Sequence, residues 1–257
     1  MYEAMMIAAT GLTNQQRRID VIANNVANVN SAAYKSARLD FKDALYTSGI
    51  TPGPPRTPAP EGNQQKGHGV MVAGITKDFS TGSIQTTDRN LDVAIVGEGF
   101  LEVEDVNGDI VYTRNGSLNL DNEGYLVNAD GLFIHDVNGN RIQAPQGTDT
   151  ININTNGVIS FVDNEVEAAS AALGVYTFRN VTGLLSTGRG TYSESPASGT
   201  RRPAENALIK QGAIEMSNVN LAEEMTRIIR TQRSFQLASR ALSTADQMEG
   251  IANSMRK

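Results

Sequence analysis

The chain has 257 residues, a net charge of −6 at pH 7 and 39% hydrophobic residues. This acidic balance argues against nucleic acid as a partner, because phosphate contacts need clustered Lys and Arg. The chain contains no cysteine, which excludes disulfides, thiolate metal sites and cysteine nucleophiles. No stretch approaches the about 18 uninterrupted apolar residues of a membrane span, so membrane insertion is not expected.

The chain opens with an apolar repeat at alternating steps of four and three residues, in which Gln15 is the one polar member. This spacing places a narrow seam along a helix of about 3.5 residues per turn, which is typical of a coiled coil. We therefore predict a helical N-terminal segment, residues 1–46, whose seam needs a helical partner. The seam residues are Met1, Met5, Ala8, Leu12, Gln15, Ile19, Ile22, Val26 and Val29.

The composition changes after this segment. Residues 47–67 contain five of the eight prolines, mixed with glycine. Because proline fixes φ and removes a backbone donor, this stretch is predicted to be an extended linker. The prolines are Pro52, Pro54, Pro55, Pro58 and Pro60.

Residues 68–215 are predicted to form an all-β domain of short antiparallel strands. Short apolar runs are separated by Asn-Gly pairs, which supply the positive φ that tight hairpins need. These pairs are Asn107-Gly108, Asn115-Gly116, Asn138-Gly139 and Asn156-Gly157. The predicted strands are 70–75, 91–96, 100–104, 110–114, 118–120, 125–128, 132–136, 151–153, 158–161 and 173–178.

Residues 216–257 are predicted to form a C-terminal helix that pairs with residues 1–29. Asn220 and Glu223 have the spacing of a capping box, which predicts a helix start near Leu221. The four-three spacing reappears in Leu221, Met225, Ile228, Gln232, Phe235 and Leu242. The fold class is therefore mixed α and β, mainly β, with terminal coiled-coil helices packed together around an inserted β domain. The alternative is that both termini are ordinary amphipathic helices of one bundle.

The sequence offers no catalytic, metal or cofactor site. The runs that begin at Asp105 and Asp136 resemble the opening of a calcium loop, but neither has Gly at position six and Glu at position twelve. Hairpin turns explain them better. His68 and His135 are the only histidines, and no phosphate loop or nucleophile elbow occurs. We therefore expect no enzyme, no cofactor and no metal.

Several separated motifs resemble those of the bacterial flagellar rod and hook proteins. Residues 23–35, from Ala-Asn-Asn-Val-Ala-Asn to Tyr-Lys, match the N-terminal signature of the family, and residues 217–225, 232–235 and 245–248 match its C-terminal signature. Residues 78–83, 91–100, 112–116 and 124–127 are similar to its β domain. The signature residues carried over are Asn24, Asn25, Asn28, Tyr34 and Lys35. One departure is Ala33, where the family usually has Gly. If this position has φ > 0, the turn must differ or hold a strained Ala.

The resemblance implies a structural, self-assembling subunit that polymerises into a hollow helical shaft, the rod that crosses the periplasm in the flagellar basal body. The implied partners are further copies of the chain, other rod and hook subunits, and the flagellar type III export apparatus. Export without a cleaved signal agrees with Glu3 and the polar run 13–18, which interrupt any signal-like apolar block.

Within the family, the tail is more similar to distal than to proximal rod subunits. The alternatives are a proximal rod or hook-type subunit, and a β-domain enzyme or binding module carried on a coiled-coil stalk.

Overall fold

The computed structural model describes residues 2–44, 46–48, 65–67, 69–105, 107–148, 150–163, 166–204 and 207–255. The chain forms two compact units. The first contains Met1–Val26, Ala37–Thr76 and Leu221–Lys257, and the second contains Ala27–Ser36 and Lys77–Asn220. The chain therefore passes between the units at 26/27, 36/37, 76/77 and 220/221. The sequence-based division into four segments stays a prediction.

Two long helices occupy the termini, and strands fill the chain between them. Helix α1 is Tyr2–Ala27 and helix α2 is Leu221–Ser254, which starts where the capping box predicts. Glu223 and Glu224 lie in the first turn of α2, where negative charge favours the helix dipole. The mainly β fold with terminal helices is thus confirmed.

The strands in chain order are β1 (Ala37–Asp43), β2 (Tyr46–Ser48), β3 (Gln65–Gly67), β4 (Val70–Lys77), β5 (Ile84–Thr86), β6 (Val93–Val96), β7 (Phe100–Glu104), β8 (Ile110–Thr113), β9 (Leu118–Leu120), β10 (Leu126–Asn128), β11 (Phe133–Ile134), β12 (Thr150–Ile153), β13 (Val158–Asp163), β14 (Val166–Ala172), β15 (Val175–Thr177), β16 (Leu185–Gly188), β17 (Thr191–Ser193), β18 (Arg202–Pro203), β19 (Leu208–Gln211) and β20 (Ala213–Glu215). A 3₁₀ turn spans Val181–Gly183.

The predicted N-terminal helical segment is shorter than the sequence suggested. Helix α1 ends at Ala27, and residues 37–43 form β1, which pairs with β4. In β1, Leu39 is buried and Phe41 half-buried, whereas Arg38 and Lys42 are exposed. This alternation has the period of two that a strand requires, and pairing with β4 satisfies its backbone. The helical prediction up to residue 46 was therefore wrong.

Within the first unit, side chains of α1 contact the β1–β4 ribbon. The Nδ2 atom of Asn14 donates a hydrogen bond to the Val70 carbonyl at 2.6 Å. The guanidinium carbon of Arg18 lies 5.9 Å from the centre of the Phe41 ring. Strands β2 and β3 pair at the two ends of the predicted linker, while residues 49–64, with all five prolines, and His68 lie outside the described residues.

The second unit is built on antiparallel pairing of short strands. Its largest sheet has the order β16-β17-β8-β7-β11-β10-β9, and β15 and β18 extend it from β7. A three-stranded sheet, β12-β13-β14, and the pairs β6–β19 and β5–β20 complete the described part of this unit. The register of the central hairpin pairs Leu101 with Thr113 and Val103 with Val111.

Two groups of buried side chains stabilise the second unit. An aliphatic core gathers the inward residues of the sheets, including Ile95, Leu101, Leu118 and Ile159, each at most 1% exposed. Burial of each such side chain contributes about 1.5–3 kcal/mol. A second, aromatic cluster packs edge to face, as between Tyr112 and Phe178, whose ring centres are 4.8 Å apart. Its members are Phe100, Tyr112, Tyr176, Phe178, Leu184 and Tyr192.

The Asn-Gly turns follow the prediction with one exception. Gly108, Gly139 and Gly157 have φ values of 84°, 82° and 81°, as tight hairpins require. Gly116 does not adopt a positive φ. A Cβ atom at this position would lie 1.9 Å from the Val93 carbonyl oxygen. The prediction of a positive-φ turn at Asn115-Gly116 was wrong. Glycine is required at position 116 because the Val93 backbone lies too close to leave room for a side chain.

The hydrogen bonds of the Glu104 carboxylate in the second unit predict acid sensitivity. Arg141 donates two hydrogen bonds to Glu104, at 2.7 and 2.8 Å, and Nε2 of His135 lies 3.1 Å from the same carboxylate. These hydrogen bonds, that of Arg141 first, lower the pKa of Glu104 from 4.5 to about 2. The stability that they contribute is present above pH 4.5 and is lost as the pH falls toward 2.

We therefore expect the thermal unfolding midpoint of the unmodified chain to exceed that of a Glu104→Gln variant at pH 7, with the difference shrinking as the pH approaches 3. The exposed Glu123, which lies outside this network, provides the matched Glu→Gln control. A difference between the chains that stays constant from pH 7 to 3 would contradict the role of the Glu104 charge.

Candidate assembly site

The predicted seam on α1 is covered to different extents in the single chain. Ile22 is buried at 4% exposure, and the remaining described members are half-buried. The Oε1 atom of Gln15, the polar member, is buried without a hydrogen-bond partner among the described residues. The half-buried members are Met5, Ala8, Leu12, Gln15, Ile19, Val26 and Val29. The seam therefore follows the less exposed side of the helix but remains open to further contact.

On α2 the covered residues follow a line that only partly coincides with the predicted seam. The predicted Ile228, Phe235 and Leu242 are half-buried, whereas Leu221 and Met225 are exposed at 44% and 46%. The predicted Gln232 is exposed as well. The covered line has the four-three spacing and consists of Glu224, Ile228, Thr231, Phe235, Ala238, Leu242, Ala245 and Glu249.

The sequence analysis missed three polar residues of the covered line, Glu224, Thr231 and Glu249, because a search for hydrophobic periodicity passes over polar side chains. Arg227 donates a hydrogen bond to Glu224 at 2.7 Å, and the Thr231 hydroxyl donates to the Arg227 carbonyl at 2.8 Å. These local partners reduce the cost of burying polar groups. A Glu followed three residues later by Arg is the signal that could have indicated a paired, buried carboxylate.

Apolar side chains remain exposed on α2 outside the covered line. In the first half of the helix, Met225 and Ile229 are exposed on one face. In the second half, Leu237 and Ile251 are exposed on a different face. The full described set is Leu221, Met225, Ile229, Leu237, Met248 and Ile251, with exposures of 44–66%. A helix with apolar residues on several sides is typical of one that is buried by several neighbours.

Asn25 of the predicted signature fixes the chain that follows α1. Its side chain is fully buried, donates to the Ala37 carbonyl at 2.9 Å and accepts from the Ala37 amide at 2.9 Å. Asn24 is exposed, and Asn28 and Tyr34 are half-buried. The Asn28 side chain accepts a hydrogen bond from the Ser31 hydroxyl at 3.2 Å. The signature thus builds the turn that ends the helix.

Ala33, which departs from the resembled signature by replacing Gly, adopts a positive φ. Its φ is 55°, in the left-handed region, and its side chain is 4% exposed. The Ala33 amide donates to the Glu215 carbonyl at 2.8 Å. An alanine in this region carries a strain that glycine would avoid. The surrounding hydrogen bonds hold it there.

Lys35, the last signature residue, is an ion-pair partner in the interior of the second unit. Its Nζ atom donates to Glu215 Oε1 and to the Ser80 carbonyl, both at 2.6 Å. The side chains of Lys35 and Glu215 are fully buried. Burial lowers the pKa of Lys35, and the hydrogen bond to Glu215 opposes this effect. The ion pair is thus shielded from solvent, and two short hydrogen bonds fix the position of the Lys35 ammonium group.

The Glu215 carboxylate also interacts with hydrogen-bond donors other than Lys35. The Gly82 amide donates to it at 2.8 Å, and Nη1 of Arg114 lies 3.4 Å from both carboxylate oxygens. Sequence reasoning assigned Glu215 no role. Alternation in β20 would not have indicated it, because the structure buries Ala213 and Glu215 and leaves the more apolar Ile214 half-buried.

The described residues provide no group of three or more His, Cys, Asp or Glu that could hold a metal ion. Within the described chain, neither helix is long and apolar enough to span a membrane.

Comparisons with known proteins match both ends and the middle of the chain. Residues 5–35 match the family of flagella basal body rod proteins, residues 94–161 the D1 domain of the flagellar hook proteins FlgE/F/G, and residues 210–255 the C-terminal region of the flagellar basal body rod FlgEFG proteins. The chain is 35% identical over 258 residues to the flagellar basal-body rod protein FlgG of Bacillus subtilis, covering 96% of this chain and 97% of that protein. It is 35% identical to FlgG of Borreliella burgdorferi and 34% identical to the flagellar hook-basal body complex protein FlhP of Bacillus subtilis, each over the full length of both chains.

Proposed function

Because the chain belongs to the family of flagellar basal-body rod proteins, we propose that it polymerises through its terminal helices into the hollow shaft that transmits torque from motor to hook. The chain is a structural rod subunit of the flagellar basal body, of the distal FlgG type. The proposal includes no catalytic step and no cofactor.

The observation that carries the polymer proposal is the distribution of exposed apolar side chains on α2. They lie on more than one side of the helix, beyond the line that is already covered in the single chain. One partner helix can cover only one side of α2. A dimeric stalk that carries a β-domain module would therefore leave apolar surface in water, whereas a tube of packed helices surrounds each α2 with several neighbours.

Within one subunit, we propose that α1 and α2 pair along their two four-three lines. Both helices belong to the first unit, and both have one half-buried line with the spacing of a coiled coil. The exposed seam members Leu221, Met225 and Gln232 would then face neighbouring subunits.

The remaining partners are proposed from family membership. Other rod and hook subunits adjoin the shaft at its ends, and the flagellar export apparatus delivers the chain without signal cleavage. A second candidate is another axial subunit of the hook-basal body complex, because similarity to FlhP extends over the full length of both chains.

Electron microscopy of the purified chain at high concentration tests the polymer proposal. We expect open-ended helical shafts with a central channel, since contacts that do not close into a ring produce filaments. Complementation of a strain that lacks its own distal rod subunit is expected to restore hooks and motility. Closed dimers or trimers at every concentration, together with failed complementation, would refute the proposal and favour the stalk.

A further inference from the structure

Three segments of the second unit form a hydrogen-bonded assembly that we call the clasp: residues 33–36, 78–83 and 215–218. The Ala33 amide donates to the Glu215 carbonyl at 2.8 Å, and the Asp78 amide donates to the Ser36 carbonyl at 2.9 Å. The Met216 amide donates to the Ser83 carbonyl at 2.8 Å. Segment 33–36 is thus bonded to both of the other segments, which are bonded to each other.

Asn218 ties the three segments of the clasp through its side chain. Its Oδ1 atom accepts from the Ser36 amide at 2.8 Å, and its Nδ2 atom donates to the Asp78 carbonyl at 2.8 Å. Its own amide donates to the Tyr34 carbonyl at 3.3 Å. An amide is the side chain suited to this place, because it can accept from one segment and donate to another.

The clasp lies where the chain leaves the second unit. Segment 33–36 ends at the crossing 36/37, segment 78–83 begins two residues after 76/77, and segment 215–218 ends two residues before 220/221. The remaining crossing, 26/27, is followed by the short turn that leads into segment 33–36. Three of the four covalent connections of the second unit to the first therefore lie within two residues of the clasp.

A buried charge cluster lies at the clasp and centres on the Glu215 carboxylate. Lys35 pairs with Glu215, and Arg114 approaches the same carboxylate while donating to the Gly97 carbonyl at 2.9 Å. A buried ion pair contributes little net stability compared with apolar residues, but a shifted register leaves its charges unpaired. A shift of one segment against the others would therefore cost the free energy of leaving a buried charge unpaired.

We propose that Lys35 is a positioning residue, whose ion pair with Glu215 keeps the connections between the two units bundled so that they share torsional load. This inference rests on the proposed function, since it assigns a mechanical task within a rotating shaft. Segments that are hydrogen-bonded to one another share an applied torque, whereas unconnected segments would each have to carry the torque in turn. The clasp forms within one subunit and is therefore present before assembly.

Hydrogen exchange of the free, full-length chain tests the clasp directly. In a Lys35→Met variant we expect the amides of Ala33, Asp78 and Met216 to exchange about 100-fold faster, while the amides of β7 and β8 keep their protection. Lys210→Met is the matched control, because Lys210 is exposed on β19 of the same unit. An equal loss of protection in clasp and sheet, or no change in the clasp, would overturn the proposal.

Asn218→Asp provides a second variant if Lys35→Met fails to fold. It keeps the acceptor for the Ser36 amide and the charge cluster, but loses the donor to Asp78. The same selective release of clasp amides is expected. Unchanged exchange at Asp78 in this variant would contradict the role of the clasp.

Rotation of flagella under viscous load separates this inference from the proposed function. Cells with the Lys35→Met chain are expected to build shafts in normal number, which rotate at low load but break or stall at high load. Normal rotation at high load would overturn the torsional role while leaving the rod assignment intact. Absence of shafts with the unmodified chain would instead refute the rod assignment, and the exchange result would stand independently.

Discussion

Replacement of Leu242 by Asp is expected to abolish shaft assembly and motility while the second unit stays folded. Leu242 is a half-buried member of the covered line on α2 and of the predicted seam. A carboxylate there would have to be buried at a helix interface without a partner, at a cost of about 3 kcal/mol or more. Because the contact repeats in every subunit, the cost accumulates along the polymer.

The measurement combines electron microscopy of shafts, motility in soft agar and circular dichroism of the purified variant. Ser243→Asp is the matched control, since Ser243 is the next residue and is exposed. We expect this control to assemble. Working shafts built from the Leu242→Asp chain would show that the covered line has no part in assembly, and loss of β-sheet signal would show that the change acts on folding.

Replacement of Gly116 by Ala is expected to destabilise the second unit by about 3 kcal/mol or more. The added Cβ would lie 1.9 Å from the Val93 carbonyl oxygen and 2.7 Å from Val93 Cγ2. Neither atom can move freely, because the Val93 amide donates to the Gly116 carbonyl at 2.8 Å and Val93 is 1% exposed. The strands around residue 93 must therefore separate.

Urea unfolding of the monomer, followed by circular dichroism, measures this loss. Gly74→Ala is the control, because a Cβ at Gly74 meets no atom within 4 Å. It is expected to change the free energy of unfolding by less than about 1 kcal/mol. Equal effects of the two substitutions would mean that close approach does not explain Gly116.

The sequence predicted well the features that depend on local spacing. The start of α2 at Leu221 followed from a capping box of two residues, and the turns at Gly108, Gly139 and Gly157 followed from Asn-Gly pairs. Each of these is determined by backbone geometry within a few residues of chain. The strand β1 was missed although residues 37–42 alternate between apolar and polar side chains, because so short a run was assigned to the helical segment that precedes it. Its pairing with β4 joins positions that are distant in the chain.

Burial on the helices illustrates what spacing alone leaves open. The seam of α1 could be read from periodicity because its members are apolar and regularly spaced. On α2 the same reasoning selected Met225 and Gln232, whereas the chain covers Glu224 and Thr231, one residue earlier in each turn. Several helix faces are apolar enough to be covered, so only the packing of the subunit decides which of them is covered within it.

By itself, the sequence of this chain determined the order of its helical ends and β middle, its family signature and the absence of cysteine chemistry. These properties reside in residue type and short-range spacing. Only the tertiary structure decided that Lys35 meets Glu215, 180 residues away, and that Gly116 serves close approach to Val93. The physical reason is that charge pairing and steric fit depend on positions in space, which strand register sets and local periodicity does not encode.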